Sequence, residues 1–311
     1  MRGAWIGSLL AALAGTVLSA VASGQESGLA APVTAEPGAA PSAELSDETY
    51  SVPVIDGRHH TVSVRARVCR YVSDTPARVV IINHGAPPNS AERPRMKLGS
   101  CEQEAARWFL TRGYVVVQFL RRGYGESGGE WAEDYGRCST PDFAHAGVET
   151  ARDIDAVARY VQTLPFTKHD GVVVVGQSAG GWGTIAYDGF PHPNVIAFVV
   201  MAGGRGGHSD NVPNQNCRPD LLAQAAGRFG KTATTPMLWI YAANDSFFGP
   251  RIAEAMWKAF TAAGGKADLR QLGPFDGDGH HLFFAPGGSA VWGPLVEGYL
   301  GEQGIVSAAR P

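Results

Sequence analysis

Hydrophobic and polar positions alternate regularly from Tyr50 onward. "YSVPVID" and "HTVSVRARVCRYV" put apolar residues at every second position on either side of Asp56-Gly57, the pattern of a β-hairpin. The pattern then changes. "RVVIINHG", "YVVVQFL" and "VVVVG" are continuous apolar runs of strand length, as strands buried on both faces require. "NVIAFVVMAG", "PMLWIYAAND" and "ADLRQLG" predict three further strands. Helices are predicted between them. "CEQEAARWFLTRG" is closed by Gly113, and "PDFAHAGVETARDIDAVARYVQTL" sets Ile154, Val157, Ala158 and Val161 on one face. Another helix runs from the serine of "GQSAGG" to about Gly189. "PRIAEAMWKAFTAAGG" has Pro at its start and Gly at its end, and "GGSAVWGPLVEGYL" is the last helix. Strands alternating with helices predict the α/β class: a mostly parallel central sheet, an antiparallel hairpin at its start, and helices on both faces. One domain over residues 49–302 accounts for this pattern, with a tail over 303–311. The segment from Gly203 to Phe229 is poorly periodic and is expected to lie over the strand ends as a small cap.

The first 48 residues are different. Trp5 to Val21 is apolar or small, Arg2 is the one early charge, and Ala20-Val21-Ala22 offers small residues for cleavage. This reads as a secretory signal over 1–24, too short and too rich in Ala and Gly for a good membrane anchor. Residues 25–48 are rich in Ala, Pro, Gly, Ser and Glu, which reads as a disordered spacer. Export bears on the cysteines. Cys69, Cys101, Cys138 and Cys217 have no C-x-x-C spacing, which argues against zinc, and an even count in an oxidising compartment favours disulfides. Four cysteines allow three pairings, and buried free thiols are the other reading. Cys138–Cys217 is the expected bridge, because both lie in loops that this fold brings near each other. The net charge of −3, without a Lys/Arg run, argues against a nucleic-acid partner.

"VVVVG" ends abruptly in Gly176-Gln177-Ser178-Ala179-Gly180, a G-x-S-x-G at a strand-to-helix junction. Such a turn lifts the serine oxygen above the sheet edge and aims helical N–H groups at it. The alternative is a plain helix cap at Ser178. A serine nucleophile needs a base, and the base needs an orienting acid. Asp245 follows the strand in "YAANDSFFGP", and His280 follows the last strand in "PFDGDGHHLFF". Both fall at the end of the sheet where Ser178 is expected. Asp245 could instead be a turn residue, whereas Asp276 and Asp278 read as turn formers. His280 is preferred over His281 because it directly follows Gly279, whereas His281 begins an apolar run. The backbone N–H groups of Ala179 and Ala86 are the candidate oxyanion hole. His84 reads as a structural loop residue. Arg121, Arg122, Tyr124, Trp182, Arg205 and Phe247 fall in or beside loops at the strand ends and are candidate pocket residues, each with a structural alternative.

"NHG", "RRGYGESGG", "GQSAGG", "YAANDSFFGP" and "DGHHLF" occur in the order seen in α/β-hydrolases. From about Tyr50 to Leu300 the chain resembles the dienelactone hydrolase-like and prolyl oligopeptidase-like branch of that superfamily. The resemblance implies Ser178 as nucleophile, Asp245 as acid and His280 as base, with Ala179 and Ala86 holding the oxyanion. It implies acyl transfer to water with no metal or cofactor, on a small-molecule ester or short peptide. Dienelactone hydrolases carry cysteine at the elbow. Serine here points to ester or peptide substrates, with a serine peptidase and a non-catalytic binding module as the alternatives to an esterase.

Overall fold

The structure is a computed structural model that describes residues 44–192 and 194–306. The expected signal, the spacer over 25–43 and residues 307–311 lie outside the described residues. Eight strands form one sheet in the order β1-β2-β4-β3-β5-β6-β7-β8. β1 (Leu45–Ile55), β2 (Thr61–Tyr71) and β4 (Val115–Leu120) pair antiparallel. From β4 onward every pairing is parallel, through β3 (Ala77–Asn83), β5 (Thr167–Gln177), β6 (Val195–Met201), β7 (Met237–Ala242) and β8 (Ala267–Leu272). β1 begins inside the segment read as spacer, because Leu45 to Thr49 pair in register with Arg67 to Tyr71.

The β-branched runs follow from burial on both sides. Val79, Ile81, Val172, Val174, Phe198, Val200, Trp239 and Tyr241 face one hydrophobic core. Val80, Ile82, Val173, Val175, Val199, Leu238 and Ile240 face the other. Strand alternation assigns successive residues to opposite faces, so a strand with two apolar faces reads as an unbroken run. The first core is covered by α2 (Phe143–Val161), α3 (Ala179–Asp188), α4 (Pro219–Gly230) and α5 (Pro250–Ala262). The second is covered by α1 (Glu104–Leu110) and α6 (Gly288–Glu302), where Trp108 and Phe109 meet Trp292.

The 203–229 segment divides in two. Residues 203–218 form a loop at the strand ends, as expected of a cap. The second half is not a cap but α4, whose Leu222, Ala225, Ala226 and Phe229 point into the first core. Their i, i+3, i+4, i+7 spacing is a helical stripe that the glycine-rich first half obscures. Both disulfides form. Cys69–Cys101 joins β2 to the segment before α1, and Cys138–Cys217 joins the loop before α2 to the one before α4. Among the described residues no helix is long and apolar enough to cross a membrane.

The direction of sheet growth reverses at β3. The chain passes from β3 to its neighbour β4, then returns to β5 on the other side of β3. In open α/β sheets a crevice opens at the carboxyl ends of the strands at this switch point. The ends of β3 and β5 deliver His84-Gly85-Ala86 and Ser178 to it.

Candidate active site

Ser178 sits between β5 and α3 with φ 54° and ψ −120°, a backbone conformation a non-glycine residue adopts only under constraint. The constraint is visible. Its N–H donates to Met201 O at 3.0 Å, and its carbonyl accepts from Trp182 N at 2.9 Å and Gly204 N at 3.1 Å. The flanking glycines are required by packing. A Cβ on Gly176 would lie 2.2 Å from Thr184 Oγ1, and one on Gly180 would lie 2.3 Å from Asn83 O. The serine is thus fixed at the tip of a turn that only small neighbours permit. It is no ordinary helix cap: its side chain makes no capping bond to the first turn of α3.

Asp245 follows β7 and is buried. Its Oδ1 accepts the N–H groups of Phe247 and Phe248, both at 2.8 Å. It is therefore a turn residue as well, and that role aims its carboxylate. His280 Nδ1 lies 3.0 Å and 3.1 Å from the two carboxylate oxygens. With Nδ1–H committed to Asp245, Nε2 is left as the basic nitrogen. The His280 carbonyl accepts from Gln177 Nε2 at 3.0 Å, which ties the His280 turn to the residue before Ser178. His280 is buried, whereas His281 is exposed. Asp278 caps the His280 turn by accepting His280 N–H at 2.9 Å.

Ser178, Ala179 and Ala86 line one cleft of about 220 Å3 with Pro87, Trp131, Tyr135, Phe247 and Phe248. Phe247 also stacks on the His280 ring at 4.2 Å. Ser178 and His280 are only 8% and 6% exposed.

Of the other pocket candidates, Arg205 and Phe247 line the cleft, while Arg121, Arg122, Tyr124 and Trp182 serve the scaffold beneath it. The Arg122 guanidinium binds Asp153 and Glu149. Trp182 Nε1 donates to Phe143 O at 2.8 Å. The Arg121 guanidinium donates to Glu133, to Asn83 Oδ1 and to the His84 carbonyl. Glu133 also accepts from Arg205 Nη2 at 2.5 Å and Tyr124 OH at 3.1 Å. Burial pushes the Glu133 carboxyl up, but the Arg121 and Arg205 charges outweigh it and hold the group at about 2. His84 is a structural residue. Its ring contacts Tyr124 edge-on, Nδ1 faces Gly85 O, and Nε2 accepts from Arg121 N–H at 3.3 Å. The residue is half-buried. That burial, with the Arg121 charge, lowers it to about 3 and keeps it neutral. Sequence reasoning missed Trp131, Tyr135 and Glu133. "EWAEDY" directly follows the glycine-rich "RRGYGESGG" loop, and that adjacency was the available signal.

The model of the prolyl oligopeptidase family matches residues 102–204, from just before α1 to the loop after β6. No curated protein matches the chain by sequence. Among solved structures, the Pyrococcus furiosus esterase Pf2001 aligns with a TM-score of 0.55 at 14% identity, covering 82% of this chain and 93% of that one. A candidate dienelactone hydrolase from Klebsiella pneumoniae aligns with a TM-score of 0.54 at 15% identity, covering 83% and 99%. The Pyrococcus horikoshii acylaminoacyl peptidase aligns with a TM-score of 0.58 at 14% identity, covering 83% of this chain and 41% of that one. At these identities the likeness is one of fold. Sheet order and these likenesses give the chain an α/β-hydrolase fold, and its residues 102–204 match the prolyl oligopeptidase family model.

Proposed function

We propose that this chain is a secreted serine hydrolase that cleaves carboxylic esters through an acyl-enzyme on Ser178. The observation that carries the reading is the buried Asp245–His280 pair, tied through Gln177 to a serine in a strained turn. In this reading Ser178 Oγ attacks the ester carbonyl while His280 Nε2 takes its proton. Asp245 holds the imidazole with Nδ1–H toward itself and stabilises the imidazolium that forms. The N–H groups of Ala179 and Ala86 receive the oxyanion, His280 returns the proton to the leaving alcohol, and water repeats the sequence on the acyl-enzyme. Two disulfides and the apolar leader in the sequence support secretion. A serine peptidase is the second reading, favoured by the prolyl oligopeptidase family match.

The cleft is smaller than the ~300–1,000 Å3 usual for drug-sized ligands, which favours a short acyl group. Mature protein is to be assayed on p-nitrophenyl acetate, butyrate, hexanoate and octanoate, beside an acyl-peptide p-nitroanilide. The expected result is a kcat/KM maximum at acetate or butyrate, with octanoate at least about 10-fold lower. Faster cleavage of the anilide than of every ester selects the peptidase, and no turnover of either sinks the hydrolase reading. His281→Ala is expected to retain activity within about two-fold, because its side chain is exposed and takes no part in the Asp245–His280 pair. A collapse of kcat in that variant would exchange the two histidines' roles.

A further inference from the structure

The loop over residues 203–218 is bent in a way that needs explanation. His208, Asp210, Asn211, Asn214 and Arg218 all have positive φ, and none is glycine. Such a run persists only where its surroundings over-determine it. Here the Cys138–Cys217 bridge holds one end, and the rest is docked on the turn that carries Asp245. Asn214 N–H donates to Ser246 O, and Asn216 Nδ2 to Phe247 O, each at 2.6 Å. The third attachment is His208.

The His208 ring lies flat on Phe247, with centroids 3.5 Å apart and planes 6° apart. The Phe247 ring in turn stacks on His280. The edge of His208 is engaged too, with Nε2 lying 2.8 Å from Ser246 Oγ. Ser246 Oγ donates to Asp278 Oδ2 at 2.6 Å, while Asp278 Oδ1 accepts the N–H groups of Ser246 and His280. Proton bookkeeping orients this chain. Burial pushes the Asp278 carboxyl up, but hydrogen bonds from Ser246 and from the His280 N–H outweigh it and keep the group below its ordinary value. The ionised carboxylate only accepts, so the single Ser246 hydroxyl hydrogen goes to it. Ser246 Oγ must then accept from His208 Nε2–H.

We infer that His208 is a positioning residue for His280. It braces the imidazole through Phe247 and braces the His280 backbone through Ser246 and Asp278. The inference rests on the hydrolase reading above, since what is positioned is the proposed base. Few side chains could do both jobs. The site needs a flat ring that stacks and a donor on the same ring's edge, and His tolerates the left-handed backbone better than most residues.

Three variants separate the two braces: His208→Ala removes both, His208→Phe keeps the stack, and His208→Gln keeps an edge donor. The expected result for His208→Ala is a kcat about 10- to 100-fold lower at little-changed KM, as for a small misplacement of a reacting group. The other two variants fall between it and wild type. The far-downfield 1H NMR resonance of the His280 Nδ1–H···Asp245 hydrogen bond reports position without substrate. It is expected to shift or broaden in His208→Ala. If kcat stays within about two-fold and the resonance does not move, the inference is overturned. A lowered melting temperature in all three variants, with kcat and resonance unmoved, also overturns it and leaves a loop-stabilising role. If wild type turns over no ester or anilide, the hydrolase reading fails, while the resonance still decides whether His208 positions His280.

Discussion

Ser178→Ala is expected to lower kcat on a short p-nitrophenyl ester by about 10^5- to 10^6-fold, the scale of losing a serine nucleophile that works as a unit with its base. The variant keeps its neighbours' hydrogen bonds, because the turn is held by Ser178 N–H on Met201 and by Trp182 and Gly204 on its carbonyl, all backbone groups. Its circular dichroism and melting temperature should therefore match wild type. KM should change little, since the cleft walls from Pro87 to Phe248 are untouched. His280→Ala is expected to cost a similar factor, and the double variant little more, because Ser178 without its base is as inert as the base without Ser178. What remains in either variant is whatever the oxyanion donors and the cleft supply alone, about 10^3- to 10^4-fold over water in the best-studied case. Retention of more than about a hundredth of wild-type activity in well-folded Ser178→Ala would mean that another group attacks the carbonyl, and the reading would fall.

Some of this molecule is legible in its sequence, and the rest is hidden for physical reasons. Strands buried on both faces announce themselves as apolar runs because nothing polar can occupy either side, as Val172 to Val175 show. The serine turn is legible because two glycines beside it have no room for a Cβ. The expected Cys138–Cys217 bridge came from placing both cysteines in loops at one end of the sheet, and the structure forms it. Cys69–Cys101 was not singled out, because pairing β2 with the segment before α1 depends on where β4 brings that segment. α4 is hard to read in the sequence because its four core residues follow a loop rich in Gly and Asn. Glu133 and His208 are harder still. Each is a single polar residue in a polar stretch, and each acquires its role from partners distant in sequence: Arg205 for Glu133 and Ser246 for His208. Periodicity cannot report such contacts, since they are set by which loops meet over the switch point.

The second large effect is in stability. Glu133 is 1% exposed and is the carboxylate partner of two buried guanidinium groups, Arg121 and Arg205. Two positive charges and one negative leave the cluster with an excess of positive charge in largely buried surroundings. Glu133→Gln keeps the volume but removes the charge, so both arginines lose their counter-ion in a low-dielectric setting. Breaking a buried pair by removing one partner costs about 3–5 kcal/mol, much of it the penalty of the stranded charge. Urea unfolding at pH 7 should show that loss as a lower midpoint at unchanged slope. The pH dependence gives an independent check. The Glu133 carboxyl sits at about 2 in the fold against an ordinary 4.5, so between those values the unfolded chain binds more protons than the folded one. Stability from this group is therefore complete above about 4.5 and is lost as pH falls toward about 2, an effect of order 3 kcal/mol. The gap between wild type and Glu133→Gln should narrow over the same window, because acid neutralises in the wild type what the substitution has already removed. A gap that stays constant from pH 7 to pH 3 would show that Glu133 stabilises by shape and neutral hydrogen bonds. A gap near zero at pH 7 would show that Arg121 finds enough in Asn83 and the His84 carbonyl to do without it. The consequence extends to the cleft, since Arg205 lines it and its guanidinium is held by the Glu133 carboxylate and backbone carbonyl.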